Sequence, residues 1–110
     1  MAVMITGDQP GMTKEMYEEM SSTLLPLLAK RQGFIAHAAW PVGGGWQVME
    51  IWESQADHDS WATDVVLPAM PEGMPSMKMT YQPLHNVMTA SGAARAGRQF
   101  GPIDQPAAGE

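Results

Sequence analysis

Cysteine is absent from the 110-residue chain. Disulfides, thiolate metal sites and a cysteine nucleophile are therefore all ruled out. Basic residues are scarce, six lysines and arginines against twelve aspartates and glutamates, for a net charge of −6. With no basic patch, nucleic acid and anionic membranes are not expected partners. No apolar run approaches the roughly 20 residues of a membrane span. The N-terminus shows neither the basic start nor the apolar block of a signal peptide, so cytoplasmic residence is expected. The glycine run Gly43-Gly44-Gly45 is not a phosphate loop, because it joins two strands and precedes no helix.

Methionine, by contrast, is abundant, at eleven residues. Its flexible thioether side chain fills irregular apolar space and adapts to ligands. A methionine-filled core is the plain reading, and a plastic pocket is the functional one.

Residues 33–61, GFIAHAAWPVGGGWQVMEIWESQADHDSW, organise the chain. Phe34 to Trp40 is extended and apolar, Pro41 and the glycines interrupt it, and Trp46 to Trp52 resumes it, which is a hairpin signal. By period two, Trp46, Val48, Glu50 and Trp52 share one face, and Gln47, Met49, Ile51 and Glu53 the other. Both faces carry apolar residues, so both are expected to be covered, one by helices and one by a partner. Ser54 caps a second helix, about Gln55 to Leu67, with Asp57 as its capping-box partner.

Upstream, Ala2 to Thr6 reads as a strand closed by Gly7, Pro10 and Gly11. Thr13 then caps a helix with Glu15, Glu18 and Glu19 near its positive end. Met16, Tyr17, Met20, Leu24, Leu27 and Leu28 form its apolar stripe, Gly33 stops it, and Pro26 is expected to kink it or split it near Ser22. Downstream, Pro68, Pro71, Gly73 and Pro75 make an irregular stretch. Lys78 to Thr89 reads as a last strand, with Pro83 at an edge or bulge. Residues 91–110 are rich in Gly, Ala and Pro, lack periodicity, and are expected to form a flexible tail beyond one domain at 1–90.

The order strand, helix, strand, strand, helix, strand is the ferredoxin-like split βαβ arrangement of the α+β class, with two helices on one face of a four-stranded antiparallel sheet. The other face would stay bare in a monomer. A homodimer, with the two sheets facing each other, is the economical cover.

The strings G-F-I-A-H, G-W-Q-V-M-E-I-W-E-S and P-L-H-N-V, with Trp61 nine residues after Trp52, resemble the dimeric α+β-barrel superfamily over residues 2–89. Within it the chain is most similar to small proteins related to antibiotic biosynthesis monooxygenases. The resemblance implies the fold well and the activity poorly, since the group includes cofactor-independent oxygenases of aromatic polyketides, haem-degrading enzymes and proteins of unknown activity. Trp61 matches the tryptophan that haem-degrading relatives place beside their porphyrin. Met70 stands where those relatives carry the iron-ligating histidine, and Met4, Ile5 and Thr6 where they use an asparagine. Haem degradation is therefore not expected, nor is any other cofactor. The polyketide oxygenases surround an apolar pocket with Asn, Trp, Tyr and Arg. Trp61 and Tyr81 fit that role, but Arg31 is the sole arginine before residue 90.

His58 replaces the phenylalanine usual in these relatives. A helical wheel groups it with Trp61, Ala62, Val65 and Ala69, opposite Asp59, Ser60, Thr63 and Asp64. With an unperturbed pKa of about 6.5, an imidazole on that face can serve as general base or ligand contact, or simply bond a nearby carbonyl. Glu50, flanked by Val48 and Trp52, is the second catalytic candidate. If buried it becomes a base near neutrality, and the plainer expectation pairs it across the dimer with Lys78 or a histidine. His37 and His85 lie on strands expected at opposite sheet edges. They are candidate ligand contacts, with strand or interface hydrogen bonding as the plainer role. The histidines lie 21 and 27 residues apart on separate elements, which is not a metal motif.

Two functional classes follow. One is a small-molecule enzyme, a cofactor-independent oxygenase or isomerase of an aromatic or polycyclic substrate. Its pocket between helices and sheet would be lined by Met16, Met20, His58, Trp61, Met70 and Tyr81. The other is a non-catalytic ligand-binding or structural dimer with a filled core. An enclosed cavity above about 300 Å³ lined by His58 favours the enzyme.

Overall fold

The computed structural model describes residues 1–90. Residues 91–110, where the flexible tail is expected, lie outside the described residues. The elements run β1 (Val3–Pro10), α1 (Lys14–Leu28), β2 (Phe34–Val42), β3 (Gly45–Trp52), α2 (Gln55–Trp61), a π-helical turn (Ala62–Val66), α3 (Leu67–Ala69) and β4 (Lys78–Pro83). The sheet is antiparallel in the order β2-β3-β1-β4, the ferredoxin-like arrangement.

Local chemistry sets the helix starts. The Thr13 hydroxyl accepts the Met16 N–H at 3.1 Å, and Ser54 accepts the Asp57 N–H at 3.1 Å. Each satisfies one of the orphan donors of a first helical turn. α1 runs unbroken past Pro26, so the expected split near Ser22 does not occur. Pro26 and Ser22 are both exposed, and water can serve the Ser22 carbonyl that Pro26 leaves without a donor. Leu27, placed on the apolar stripe by the helical period, is 49% exposed, while Leu24 and Leu28 are buried.

β1 does not close at Gly7 but continues to Pro10, with Gly7 paired between Val48 and Met79. A Cβ at Gly7 would collide with the Met77 thioether. Glycine here allows close approach of the Met77 side chain and does not mark a turn. β4 ends at Pro83 rather than Thr89. Among the described residues it pairs only with β1, at the sheet edge, where a proline is tolerated.

The core sits between the helices and one sheet face: Val3, Ile5, Leu24, Leu28, Trp52 and Trp61, flanked by Met20, Phe34, Val65, Val66 and Tyr81. Trp52 is fully buried and meets Phe34 edge-on at 5.6 Å. The Trp46–Val48–Glu50–Trp52 face thus points at the helices. On the opposite face, Ala2, Val87, Ile35, Ile51 and Leu84 form a smaller cluster. Beyond it, Trp40 and Val42 stand 37% and 42% exposed. Among the described residues, no helix is long and apolar enough to cross a membrane.

Candidate active site

A half-open apolar cavity of about 120 Å³ lies between the helices and the sheet. Ile5, Val48, His37 and Glu50 rise from the sheet, and Tyr17, Met20 and Leu24 descend from α1. His58, Trp61, Ala62, Val66 and Met70 come from the second helical segment, and Met12, Met77 and Met79 add to the wall. Five methionines therefore line it, the plastic lining that the composition admits.

The second helical segment shows why its cavity face was only partly predicted. His58 and Trp61 are buried, and Asp59, Ser60, Thr63 and Asp64 are exposed, as the 3.6-residue period requires. The π-helical turn then adds a residue to the winding. Val66, at the end of that turn, and Met70, beyond it, line the cavity, while Ala69 is exposed. Pro68, two residues past the turn, has no N–H to offer the Asp64 carbonyl, so the regular ladder is interrupted there.

His37 and Glu50 occupy paired positions on β2 and β3. His37 Nδ1 lies 2.8 Å from Glu50 Oε2, and Trp52 Nε1–H donates to Glu50 Oε1 at 2.9 Å. A carboxylate only accepts, so Nδ1 carries a proton towards Glu50, and in the neutral form of the ring Nε2 accepts the Tyr17 hydroxyl at 2.9 Å. Tyr17, His37, Glu50 and Trp52 thus form one continuous chain of hydrogen bonds. The pairing of Glu50 expected across a dimer is instead made to His37 of the same chain. Tyr17 is held flat against Trp46, ring centroids 5.4 Å apart. Trp46 Nε1 is buried without a partner among the described residues. Burial, and then the nearby Glu50 charge, push the Tyr17 hydroxyl above its ordinary value.

His58 sits differently. Its ring meets Trp52 and Tyr81 edge-on at 5.7 and 5.6 Å. Nδ1 makes a long contact to Asp59 Oδ1 at 3.4 Å, and Nε2 has no hydrogen-bond partner among the described residues. The Tyr81 hydroxyl donates to the same Asp59 oxygen at 3.3 Å. Burial, then the Asp59 charge and this bond, raise the Tyr81 pKa.

Of the candidate residues, Glu50, His58, Trp61, Met20, Met70 and His37 line the one cavity. Tyr81 stands behind His58 rather than in the wall. Met16 lines a separate depression beside Met20, Thr23 and Met74. His85 is exposed in the segment after β4 and does not line the cavity. The early end of the strand at Pro83 is the reason. Tyr17 was legible only as part of the α1 stripe, and no sequence spacing pointed to its bond with His37. Among the described residues no three His, Asp or Glu side chains are placed to hold a metal ion. A porphyrin far exceeds the cavity as built.

No protein-family model and no curated protein sequence matches the chain. Solved structures do. A mutant of SnoaB, a cofactor-independent oxygenase from Streptomyces nogalater, aligns with a TM-score of 0.59 at 9% identity, over 78% of this chain and 94% of that one. A mutant of MhuD with two manganese protoporphyrin IX bound per active site aligns with a TM-score of 0.58 at 16% identity, over 77% and 95%. At such identities the likeness is one of fold, and the fold this chain shares with them is the ferredoxin-like α+β arrangement.

Proposed function

We propose that the chain is a small-molecule enzyme that starts its reaction by removing a proton from an aromatic substrate in the cavity between helices and sheet. A cofactor-independent oxygenase, with dioxygen as the oxidant of the substrate anion, and an isomerase both begin with this step. The observation that carries the proposal is the setting of His58 and Glu50. Both face one apolar chamber, Glu50 in contact with His37, while His58 Nε2 has no hydrogen-bond partner among the described residues. The oxygenase activity named for SnoaB supports the same class by likeness of fold.

The chamber, at about 120 Å³, does not reach the roughly 300 Å³ expected of a drug-sized ligand site. It approaches the ~150 Å³ that takes up a benzene ring, so a single ring is the substrate class it suits, rather than a polycycle. The small volume also favours the second reading, a non-catalytic dimer of the same fold. Either form works as a homodimer, with the sheet face bearing Trp40 and Met49 against its copy. Native mass spectrometry of the purified protein, and soaking with one-ring aromatics, decide between them. A retained or soaked aromatic in the cavity supports the enzyme, and a cavity that takes up no ring contradicts it.

A further inference from the structure

The hydrogen-bond chain ending at Tyr17 has a direction. Both Glu50 oxygens are occupied, by His37 Nδ1 and Trp52 Nε1. In the neutral form of His37 this places the ring proton on Nδ1 and leaves Nε2, the atom facing Tyr17, as the basic one. Tyr17 spends its single proton on that nitrogen, so its hydroxyl oxygen meets the cavity as an acceptor. Tyr17 lines the cavity, and the stack on Trp46 restrains its ring.

We propose that Tyr17, His37 and Glu50 form a proton relay that ionises the hydroxyl of a one-ring phenol bound in the cavity. The phenol donates its O–H to Tyr17 Oη. As that proton moves to Tyr17, the Tyr17 proton moves to His37 Nε2. The phenol O–H and the Tyr17 O–H break, a new Tyr17 O–H and a His37 N–H form, and no electrons leave the substrate. The products are a phenolate, a neutral Tyr17 now donating to it, and an imidazolium facing the Glu50 carboxylate. Tyr17 holds its proton more tightly than a free tyrosine, which suits a conduit and not a lone base. Tyr17 is the group that touches substrate, His37 is the acceptor, and Glu50 is a positioning residue. The titratable groups facing the relay are Tyr17 from α1, Glu50 from β3 and, across the cavity, His58 from α2. Asp59 lies behind His58, bonded to Tyr81.

The inference rests on the cavity being a substrate chamber, and its test keeps the two apart. The probes are 4-nitrophenol, whose anion is read by its visible absorbance, and nitrobenzene, the same ring without the hydroxyl. Binding of each is measured by calorimetry, and the anion fraction of bound 4-nitrophenol is compared with that of the free probe below its own pKa. The expected result is an anion-to-phenol ratio raised about tenfold, one pKa unit, on the wild-type protein. His37→Gln abolishes the increase, and Tyr17→Phe, which keeps the ring and its stack, reduces it. Both variants still bind nitrobenzene, which shows that they are folded. If both probes bind and the wild type gives no increase, or His37→Gln and Tyr17→Phe leave it unchanged, the relay is overturned and the chamber stands. If neither probe binds the wild type, the chamber fails and the relay with it.

Discussion

His37 Nδ1 and Glu50 Oε2 meet at 2.8 Å across directly paired positions of β2 and β3, with side chains only 14% and 13% exposed. A hydrogen bond to a charged group at such a site contributes about 1.5–3 kcal/mol, more than a solvent-exposed pair. The exposed Arg31–Asp64 pair, at 3.2 Å, is the contrasting case. Substituting Glu50→Gln keeps the shape and removes the charge. It is expected to lower the unfolding free energy by about 1–3 kcal/mol, measured by urea denaturation. An unaltered midpoint would mean that the pair is incidental to the fold.

The two tyrosines are the only ones in the chain, so tyrosinate absorbance reports on them alone. Burial raises both, with Glu50 adding to it at Tyr17 and Asp59 at Tyr81. Each group keeps its proton in the folded state above the 10.0 at which the unfolded chain loses it. Their contribution to stability is therefore full below pH 10.0 and disappears as pH rises through the raised folded values. Folded protein should develop tyrosinate absorbance at higher pH than protein in concentrated urea. Superimposable curves would show that neither hydroxyl is held.

His58→Phe adds apolar area against Trp52 and Tyr81 and removes the unpartnered Nε2. Stability should hold or rise, by up to about 1–2 kcal/mol. A general base supplies about 10²–10⁴-fold of rate, and a loss of that size is expected once a turnover assay exists, alongside weaker binding of hydroxylated rings. Stability and activity both unchanged would remove His58 from the site.

The sheet face opposite the helices offers Met49, with Trp40 and Val42 exposed beyond it. Wild-type protein should sediment as a homodimer at micromolar concentration. Met49→Lys, which places an unpaired ammonium in that interface, should shift it towards monomer. A wild-type monomer would leave this face to water and contradict the assembly.

Much of the architecture is written in local patterns. The alternation along β3 separates Glu50 from Met49, Ser54 marks the helix start, and the helical wheel puts His58 with Trp61. The missed parts depend on departures from regular periods. A register irregularity between Phe34 and Ala36 brings Phe34 and His37 to the same sheet face, opposite Trp52 and Glu50. Strict alternation would separate them, so the Tyr17–His37–Glu50 chain had no signature. The π-helical turn likewise brings Val66 to the cavity and leaves Ala69 exposed, and nothing but Pro68 hints at it. His85 lies past Pro83, where β4 ends, so alternation along a longer strand does not describe it.

The methionines provide the most direct test of the central claim, that the space between helices and sheet takes up an aromatic ring. With ¹³C-methyl methionine, nitrobenzene is titrated into the protein and the methyl resonances are followed by NMR. Met20, Met70, Met77 and Met79 line the cavity, whereas Met4 and Met49 point to the opposite sheet face. Ring-current shifts are expected at the first four and none at Met4 and Met49. Shifts confined to Met4 and Met49, or no shifts at saturating nitrobenzene, would contradict it.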